Sequence, residues 1–545
     1  MKKRPTVKQS FLHGAAVLAL ATLIVKVIGM FYKIPLQNVV GNAGYGYFTT
    51  AYDIYSVLLM ISTTGLPVAM SRMISESQAL GHTAQIKKIF RTALYAFLVL
   101  GIAGTLLMLL GSKMLANVMH TPNSWVAILC LSPSVLFICI ISAFRGFFQG
   151  QSNMTPTSVS QVFEALCKLF IGLTAAWLIV RATQDTALAA GGAILGVTIG
   201  CAVAMVFLWG RFRSVSRHAD FAEGPVDSTG STLKKLLSIA IPITIGAAGL
   251  QIINLADAAL NMSRLLDGEA IFGYQIFGGL NLGQEAADNL KGIYNFCQTI
   301  FNLPCAFITP ITISIIPAIT EHLTCKNLRG ATMVENSALR IMSLIAMPCA
   351  MGLAVLSGPV LHLLCGYEGS DLTVGTGILS ILGITVIFNA LVLTTNAIMQ
   401  AHGDVKTPVI HMLIGGIVKV VLNITLVGIP SLNIVGAAIG TLCCYSTIAV
   451  LNLLAMRRLK GDGQRSPLKV MFKPLAAAAL MGVAAFFSYR GLALLLPSDK
   501  LACLLAVGVG VCAYAVFVVL FRVITYDDCM LLPKGEKIAK ILKIR

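Results

Sequence analysis

The sequence predicts an all-α membrane protein that crosses the bilayer many times, and three observations support this prediction. Apolar residues make up 57% of the 545 residues and charged residues only 11%, a composition that soluble domains of this length do not have. The chain divides into about fourteen apolar segments, each near the roughly 20 residues that one helical crossing needs. The segments are also too long and too continuously apolar for the strands of a membrane barrel.

The limits of the predicted helices are taken where the apolar character stops. The spans are 12–36, 46–74, 90–111, 124–144, 157–180, 187–209, 236–262, 289–318, 336–357, 374–399, 408–428, 433–456, 471–496 and 501–524. These spans predict two lobes of six helices followed by a two-helix appendage. The predicted divisions are an N-lobe at 1–210, an inter-lobe loop at 211–235, a C-lobe at 236–457, and helices 13 and 14 with a basic tail at 458–545.

The distribution of Lys and Arg predicts the orientation of these helices. Thirty of the forty basic residues lie in the N-terminus, the C-terminal tail and every second gap between spans. Basic loops remain on the cytoplasmic side, so both termini are predicted to lie inside. The same pattern accounts for the net charge of +18 without a nucleic-acid partner. Only six basic residues fall in the other gaps: Lys113, Arg181, Arg264, Lys291, Arg490 and Lys500.

The two predicted lobes share short sequence similarities in the same order. PVAMSRMISE at 67–76 lies 245 positions before TISIIPAITE at 312–321, and FRTAL at 90–94 lies 245 before ENSAL. Further along, QGQSNMTP and QAHGDVKTP each precede a span, and each is followed by a lysine eleven or twelve residues later. Because each lobe has an even number of helices, the pattern predicts a parallel repeat about an axis normal to the membrane.

Interrupted helices at matching positions of a repeat indicate where a transporter bends and binds. Helix 2 contains Gly65 and Pro67, and its counterpart, helix 8, contains Pro304, Pro310 and Pro317. A proline in a spanning helix is also tolerated as a simple kink. Gly65, Pro67, Pro304 and Pro310 are therefore candidate hinge residues, with a tolerated kink as the alternative at each.

Charged residues inside the spans need an explanation, because a charge at mid-membrane costs roughly 2.5–3.5 kcal/mol on insertion scales. Glu164 and Lys168 have the spacing of an intrahelical ion pair. Lys33 and Arg264 lie near helix ends, where their side chains could extend to the interface or enter a site. Lys26 and Lys419 lie deeper and favour a water-filled cavity. Asp53 and Asp257 are candidates for ion pairing or for coupling to a cation.

The balance of these charges predicts an anionic substrate. Five basic groups, Lys26, Lys33, Lys168, Arg264 and Lys419, face three acidic ones within the spans, and cationic groups in a membrane pathway suit a phosphate or diphosphate. Amide side chains could add neutral hydrogen bonds or bridge helices. Asn295, Gln298 and Asn302 form an i, i+3, i+7 stripe that we expect to face the pathway.

Motifs for other activities are absent from the sequence. There is no GxxxxGK[ST] for a nucleotide-driven pump, no HExxH or metal-spaced His cluster, and no CxxC pair. We therefore predict a transporter without a resident cofactor or metal. The alternatives are a cation-coupled drug exporter, which needs acids such as Asp53 and Asp257, a membrane scaffold, and a glycosyltransferase, for which the longest gaps, about 25 residues, are too short.

Several stretches resemble one protein family over essentially the whole chain. KVIGMFYKIPLQNVVGNAGYGYFTTAYDIYSVLLMISTTGLPVAMSRMISE at 26–76, FRGFFQGQSNMTPTSVSQVFEAL at 144–166, NFCQTIFNLPCAFITPITISIIPAITE at 295–321 and DDCMLLPKGEKI at 527–538 resemble the stage V sporulation protein B family. That family belongs with the polysaccharide transporters and lipid II flippases of the multidrug/oligosaccharidyl-lipid/polysaccharide exporters.

The resemblance implies a two-lobed fourteen-helix fold with a central cavity that works by alternating access. It implies a polyprenyl-diphosphate-linked saccharide as substrate, moved from the inner to the outer leaflet of a bacterial cytoplasmic membrane. Lys26 and Lys33 stand where such flippases carry cationic cavity residues, and helices 13 and 14 would form a groove for the lipid tail. Coupling to Na+, to H+ or to the membrane potential stays open, and a monomer is expected.

Overall fold

The computed structural model describes residues 11–218, 224–266, 282–459 and 467–524. Throughout this part of the chain the structure is helical and contains no strand. The helices are α1 Phe11–Thr63, α2 Gly65–Ala79, α3 Thr83–Leu110, α4 Ser112–Val118, α5 Trp125–Gly150, α6 Thr155–Cys167, α7 Leu173–Thr183, α8 Thr186–His218, α9 Thr229–Leu266, α10 Gln284–Thr324, α11 Leu328–Val355, α12 Ser357–Cys365, α13 Gly369–Ala401, α14 Lys406–Leu426, α15 Val435–Met456, α16 Pro467–Leu495 and α17 Asp499–Leu520.

The all-α membrane fold predicted from the sequence is confirmed. Eleven helical segments of the described chain are long and apolar enough to span a bilayer. Each predicted span overlaps the helices above, although 46–74, 157–180 and 336–357 each extend across a junction between two helices. The total of fourteen crossings stays a prediction. The short helices α4 and α12 were not predicted, because seven and nine residues are too few to register as spans. The basic segments at 1–10 and 525–545 lie outside the described residues.

The first two predicted spans lie mostly within one long helix that is broken at a single residue. Gly41 has φ 70° and ψ −178°, so it interrupts the helical path of α1 between two regular segments. Only glycine adopts this backbone conformation without steric cost. A second break follows at Thr64, after which α2 begins at Gly65.

The contacts of the chain define two compact units. Of the described residues, the first unit contains those up to 266 together with 282–292, and the second contains those from 293 onward. In this grouping α9 belongs with the preceding helices, whereas the sequence-based boundary placed it in the C-lobe. Gly65 gives the physical reason, because a Cβ at that position would overlap Thr244 and the Ala240 carbonyl of α9. The lobe boundary at 236 therefore does not follow the packing of α9.

Helix boundaries within the two units repeat with the offset seen in the sequence. Thr83–Leu110 and Leu328–Val355 begin and end 245 residues apart. Each follows a turn with a left-handed residue, Gly81 at φ 75° and Lys326 at φ 55°. In each turn an N–H bonds to the carbonyl five residues back, His82 to Ser77 at 2.8 Å and Asn327 to His322 at 2.9 Å. These are Schellman endings, which satisfy the last carbonyls of a helix.

A second pair of matching turns connects α5 to α6 and α13 to α14. Ser152 and Gly403 occupy the left-handed conformation in the two turns. The next residue in each turn, Asn153 or Asp404, donates its N–H to a carbonyl five residues back at 3.0 Å. Because α6 begins at Thr155 and α14 at Lys406, the offset in this part of the repeat is 251 residues.

Candidate anion-binding site

The most unusual backbone of the first unit lies at a predicted site residue. Lys168 begins a π-helical turn, Lys168–Gly172, which joins α6 to α7. Turns of this kind insert one extra residue into a helix and occur often at functional sites. The turn displaces the lysine from the position that a regular helix would give it.

The Lys168 ammonium lies over three aromatic rings of α1. Its Nζ is 4.9 Å from the ring centre of Tyr32, 5.7 Å from that of Phe48 and 4.5 Å from that of Tyr52. A cation this close to a ring face is attracted by the ring quadrupole, by roughly 0.5–2 kcal/mol per ring. We call Lys168 and these three rings the lysine cage. The rings stabilise the cation without cancelling its formal charge, so the cage remains electropositive.

Contacts with α8 hold the cage in place. The Tyr32 hydroxyl donates to the Ala193 carbonyl at 3.1 Å, which fixes the ring against α8. Beside this hydrogen bond, the backbones of Gly172 and Gly196 meet so closely that a Cβ on Gly196 would overlap the Gly172 nitrogen. These contacts set both the ring and the π turn relative to the same helix.

The predicted ion pair between Glu164 and Lys168 does not form. Glu164 instead pairs with Arg145 of α5, at 3.2 Å between Oε2 and Nη2. Arg145 also donates from Nε to Ser160 Oγ at 3.0 Å. Arg145 lies one residue beyond the predicted span 124–144, but α5 continues to Gly150 and the Arg145 side chain is 12% exposed. The Glu164 carboxylate therefore pairs with the Arg145 guanidinium, and the Lys168 ammonium contacts the aromatic rings instead.

Two further lysines belong to the same electrostatic neighbourhood. Lys33 repels Lys168 and is attracted by Asp53. Lys291 is also attracted by Asp53, and its Nζ donates to Thr50 Oγ1 at 2.7 Å. Of the predicted residues, the structure thus brings together Lys33, Asp53 and Lys168. Lys33 and Lys291 share the carboxylate of Asp53, and Lys291 is also attracted by Asp288. The cluster therefore has three ammonium groups and two carboxylates, and its role as an anion site stays a prediction.

Lys291 was not predicted as a site residue, because it lies at the very start of the predicted span 289–318 and was assigned to the gap before it. The structure places it inside α10, where it is only 4% exposed. One turn before it, Asp288 accepts hydrogen bonds from Tyr47 at 3.0 Å and from Gln284 at 3.0 Å. Asn123 in turn donates to the Tyr47 hydroxyl at 3.2 Å. A polar network therefore continues from the lysine into the start of α10.

The remaining charged candidates of the first unit lie on α1 and α9. Lys26 is half-buried, two turns before Lys33 on the same face of α1. Asp257 and Arg264 are each 3% exposed, so Arg264 is buried rather than extended to the interface. Buried charges of this kind are held by partners or lie in a hydrated site.

The candidate residues of the second unit are arranged differently. Gln298 donates to the Tyr294 hydroxyl at 2.6 Å, and that hydroxyl lies 3.2 Å from Thr441 Oγ1 of α15. Asn302 is exposed and Asn295 is half-buried. Gln298 therefore belongs to a hydrogen-bond network that links α10 to α15 through Tyr294. Lys419 lies half-buried in α14, a regular helix, where its charge acts on the phenol of Tyr445.

The candidate hinge residues occupy two kinds of position. Gly65 and Pro67 are buried in the first turn of α2, directly after the break at Thr64. Pro304 and Pro310 lie within α10, which the structure shows as one helix from Gln284 to Thr324. A helix break thus coincides with the first pair only, and hinge motion stays a prediction for all four.

Comparison with known proteins gives consistent matches. A family model described as "Polysaccharide biosynthesis protein" matches residues 11–323, more than half of the chain, and one described as "MatE" matches residues 287–425. The chain is 27% identical to an uncharacterized membrane protein, YabM, over 98% of this chain and 97% of that protein. It is 25% identical to the lipid II flippase MurJ over 87% of both chains, and 24% identical to stage V sporulation protein B over 96% and 98%. All three relatives are from Bacillus subtilis (strain 168).

Solved structures match at the level of the fold. The lipid II flippase MurJ in an inward closed conformation has a TM-score of 0.69 at 14% identity, over 93% of this chain and 99% of that one. An inward-facing multidrug resistance MATE family transporter has a TM-score of 0.66 at 14% identity, over 81% and 97%. Both are membrane transporters, in agreement with the predicted fold class.

Proposed function

Because the chain belongs to the polysaccharide biosynthesis protein family, we propose that it is a flippase for a polyprenyl-diphosphate-linked saccharide. Lipid II, or a related cell-wall or polysaccharide precursor, would move from the inner to the outer leaflet by alternating access. Lipid II flippase is the activity of one relative that matches over 87% of both chains, and of one solved structure with the same fold. The chain would thus act as a transporter rather than an enzyme.

The lysine cluster of the first unit is the observation that carries this proposal. A diphosphate needs several positive charges in a site from which water is largely excluded. Lys33, Lys168 and Lys291 supply three ammonium groups against the two carboxylates of Asp53 and Asp288. The rings of the lysine cage hold Lys168 without neutralising it, so its charge stays available to an incoming anion. Lys26 and Arg264 are further candidates for this role.

An apolar cavity in the second unit suits the lipid part of such a substrate. The cavity measures about 570 Å³ and is lined by apolar side chains of α10, α11, α12, α16 and α17. Its wall includes Phe307, Pro348, Val511 and Tyr514. Polyprenyl chains are uncharged hydrocarbon, which an apolar cavity of this size binds by excluding water. α16 and α17 correspond to the last two predicted spans, which the family resemblance implies form a groove for the lipid tail.

The orientation follows from the positive-inside pattern. With both termini in the cytoplasm of a bacterial cell, the inner leaflet is where lipid-linked saccharides are loaded. An inside-negative membrane potential would return the empty, cationic carrier toward the cytoplasm, with at most about 2.3 kcal/mol per charge per 100 mV. A loaded carrier, neutralised by the diphosphate, would respond less. Na+ or H+ binding at Asp53 or Asp257 is the alternative source of coupling.

The second candidate function is a cation-coupled multidrug exporter. The match of residues 287–425 to the MatE family and the MATE-like fold favour it. Such an exporter would bind cationic drugs through acidic groups, but the cluster around Lys168 has more ammonium groups than carboxylates. Resistance of cells to cationic drugs, measured with and without the protein, separates the two functions.

Reconstituted vesicles test the proposal directly. The purified protein is expected to move fluorescent lipid II across the bilayer, and Lys26→Glu is expected to abolish this movement because a carboxylate repels the diphosphate. Lys113→Glu is the matched control, since Lys113 contacts the ring of Trp125 at 5.3 Å and is not part of the lysine cluster. Complementation of a bacterium depleted of its lipid II flippase gives the cellular counterpart. Normal movement by both Lys26→Ala and Lys26→Glu would exclude Lys26 from the site.

A further inference from the structure

A cavity of about 690 Å³ lies at one end of the first unit, on residues that the proposed transport does not use. It is formed by the first turns of α3, the last turns of α8 and one residue of α5. The lining residues are Lys87, Phe90, Arg91, Leu94, Tyr95, Phe147, Phe212 and Ser216. The volume lies within the usual range of small-molecule sites.

The walls of this cavity are cationic and its floor is aromatic. Lys87 and Arg91 are one turn apart on α3, and both are exposed. Beneath them Phe90 and Phe212 are stacked, with ring centres 4.4 Å apart, and Phe147 meets both rings edge-on at 5.3 and 5.0 Å. This packed floor fixes the shape of the cavity, while the two cations and the hydroxyls of Tyr95 and Ser216 supply hydrogen-bond donors.

The surrounding helix ends reinforce the positive charge. The segments 83–95 and 209–217 carry six basic residues and no acidic one: Lys87, Lys88, Arg91, Arg211, Arg213 and Arg217. Such clusters attract the anionic headgroups of a membrane surface. The positive charge around the cavity therefore attracts a phosphate group.

The position of the cavity along the helices corresponds to the headgroup region. α3 and α8 are both apolar enough to span a membrane, and the cavity lies at the first turns of α3 and the last turns of α8. Tyr95 is 68% exposed and Trp209 is 53% exposed, and amphipathic rings of this type lie at the membrane–water interface. The lining thus faces lipid headgroups rather than the bilayer centre or bulk water.

The corresponding place in the second unit lacks these features. The offset of 245 residues relates Lys87, Phe90 and Arg91 to Thr332, Glu335 and Asn336. Glu335 is buried there, with its Oε1 2.7 Å from His402 Nε2. The second unit thus has the equivalent helix but lacks the two basic residues and one aromatic ring of the cavity. The basic cavity is therefore not shared by the two repeats.

We propose that this cavity binds the headgroup phosphate of an anionic phospholipid from the surrounding leaflet. Lys87 and Arg91 would donate charge-assisted hydrogen bonds to the phosphate oxygens, and the aromatic floor would contact the glycerol and the first methylenes of the acyl chains. By the positive-inside pattern the leaflet is the cytoplasmic one.

Binding of lipids to the purified full-length protein in neutral detergent tests this proposal. Phosphatidylglycerol and phosphatidylcholine of the same chain length are titrated and counted by native mass spectrometry, with inorganic phosphate as a third ligand. Phosphatidylglycerol is expected to bind at least about ten-fold more tightly than phosphatidylcholine, and Lys87→Gln/Arg91→Gln to lose at least about ten-fold in phosphatidylglycerol affinity. The control Lys88→Gln/Arg213→Gln removes the same charge from the same helix ends, and we expect it to lose less than about two-fold.

Three results would overturn the proposal. Equal losses in the two double variants would mean diffuse surface attraction without a site. Equal affinity for the two lipids would exclude an anionic headgroup, and displacement of phosphatidylglycerol by inorganic phosphate at equal concentration would indicate a site for free phosphate. Thermal unfolding without added lipid controls for the fold, and Arg91→Gln alone replaces the double variant if that variant is unstable.

Discussion

Lys168 and Lys419 occupy equivalent places in the two repeats, thirteen residues after the starts of α6 at Thr155 and α14 at Lys406. The chain around them differs. At Lys168 the helix opens into a π turn and the ammonium lies over three rings, whereas Lys419 continues a regular helix near Tyr445. The two positions carry the same residue in different backbones.

The contacts behind the two lysines explain the difference. Four residues after each lysine, the helix meets its neighbour through a glycine, Gly172 against Gly196 in the first unit and Asn423 against Gly440 in the second. The first contact is backbone against backbone, and the second includes an amide side chain. A duplicated framework thus retained its close helix contact while only one copy developed the lysine cage. Burial of a charge inside a span does not by itself identify a binding residue, since its backbone and neighbours decide its role.

The largest expected effect separates the two lysines directly. Lys168→Gln should reduce flipping of lipid II in vesicles by about ten-fold or more, because a lost charge-assisted contact is worth roughly 1.5–3 kcal/mol. Lys419→Gln should reduce it by less than about three-fold. Equal losses would show that the cage does not distinguish the two positions, and both rates are compared at equal amounts of folded protein.

The helix contacts behind the lysines give the next effect. Gly196→Ala places a Cβ against the Gly172 backbone, which cannot move aside, so the variant should lose about 1–3 kcal/mol of unfolding free energy. Gly440→Ala places its Cβ against the Asn423 side chain, and that side chain can rotate away. We expect a smaller loss there, measured by denaturant unfolding in detergent. The double change Gly440→Ala/Asn423→Gly should recover part of it, and a larger loss for Gly440→Ala than for Gly196→Ala would contradict the contact geometry.

Removing one ring of the lysine cage tests whether the rings matter to the cation. Tyr52→Leu should weaken substrate affinity by roughly two- to thirty-fold, since one cation–π contact is worth roughly 0.5–2 kcal/mol. Tyr55→Leu is the control, because this ring packs edge-on against Tyr52 at 6.0 Å without lying over Lys168. A larger loss in the control would assign the effect to packing instead of to the charge.

The smallest effect concerns the matching turns before α6 and α14. Asp404 accepts a hydrogen bond from the Thr407 N–H at 3.1 Å, and the hydrogen bonds from Thr407 lower the pKa of the Asp404 carboxyl. A lowered pKa in the folded state stabilises the fold above the unfolded value near 4, and this stabilisation disappears as the pH falls through the lowered pKa. Asp404→Asn should therefore be slightly less stable than the wild type at pH 7, with the difference vanishing once the pH falls below the lowered pKa. A difference that persists at low pH would show that ionisation is not its cause.

The positions of the spanning helices were predictable because lipid requires long apolar helices, and this requirement is visible in the sequence. The repeat was also visible, since the 245-residue offset of short motifs agrees with the starts of α3 and α11. Orientation and the number of crossings remain predictions. The break at Gly41 and the π turn at Lys168 were not predictable, because single-residue backbone changes leave the apolar pattern intact.

The candidate site was predicted in part. Lys33, Asp53 and Lys168 were each predicted as in-span charges and lie in one electrostatic neighbourhood, while their role in binding stays a prediction. Lys291 and Arg145 were not predicted as in-span charges, because hydropathy alone places the helix ends only to within a few residues. The local spacing of Glu164 and Lys168 favoured a pair within one helix, but Arg145 from the preceding helix supplies the partner. Partner choice among buried charges is a tertiary property that spacing along one helix cannot determine.

The break at Gly41 brings together two aromatic rings that a straight helix would hold far apart. Tyr32 and Phe48 are sixteen positions apart, which in a straight helix would separate them by about 24 Å along the axis. Their ring centres are in fact 5.9 Å apart. The fold-back that joins them is achieved at one residue whose φ is 70°, a value that side chains with a Cβ disfavour. Substitution of Gly41 by a residue with a Cβ would therefore separate the aromatic partners of Lys168 without changing any residue that contacts it.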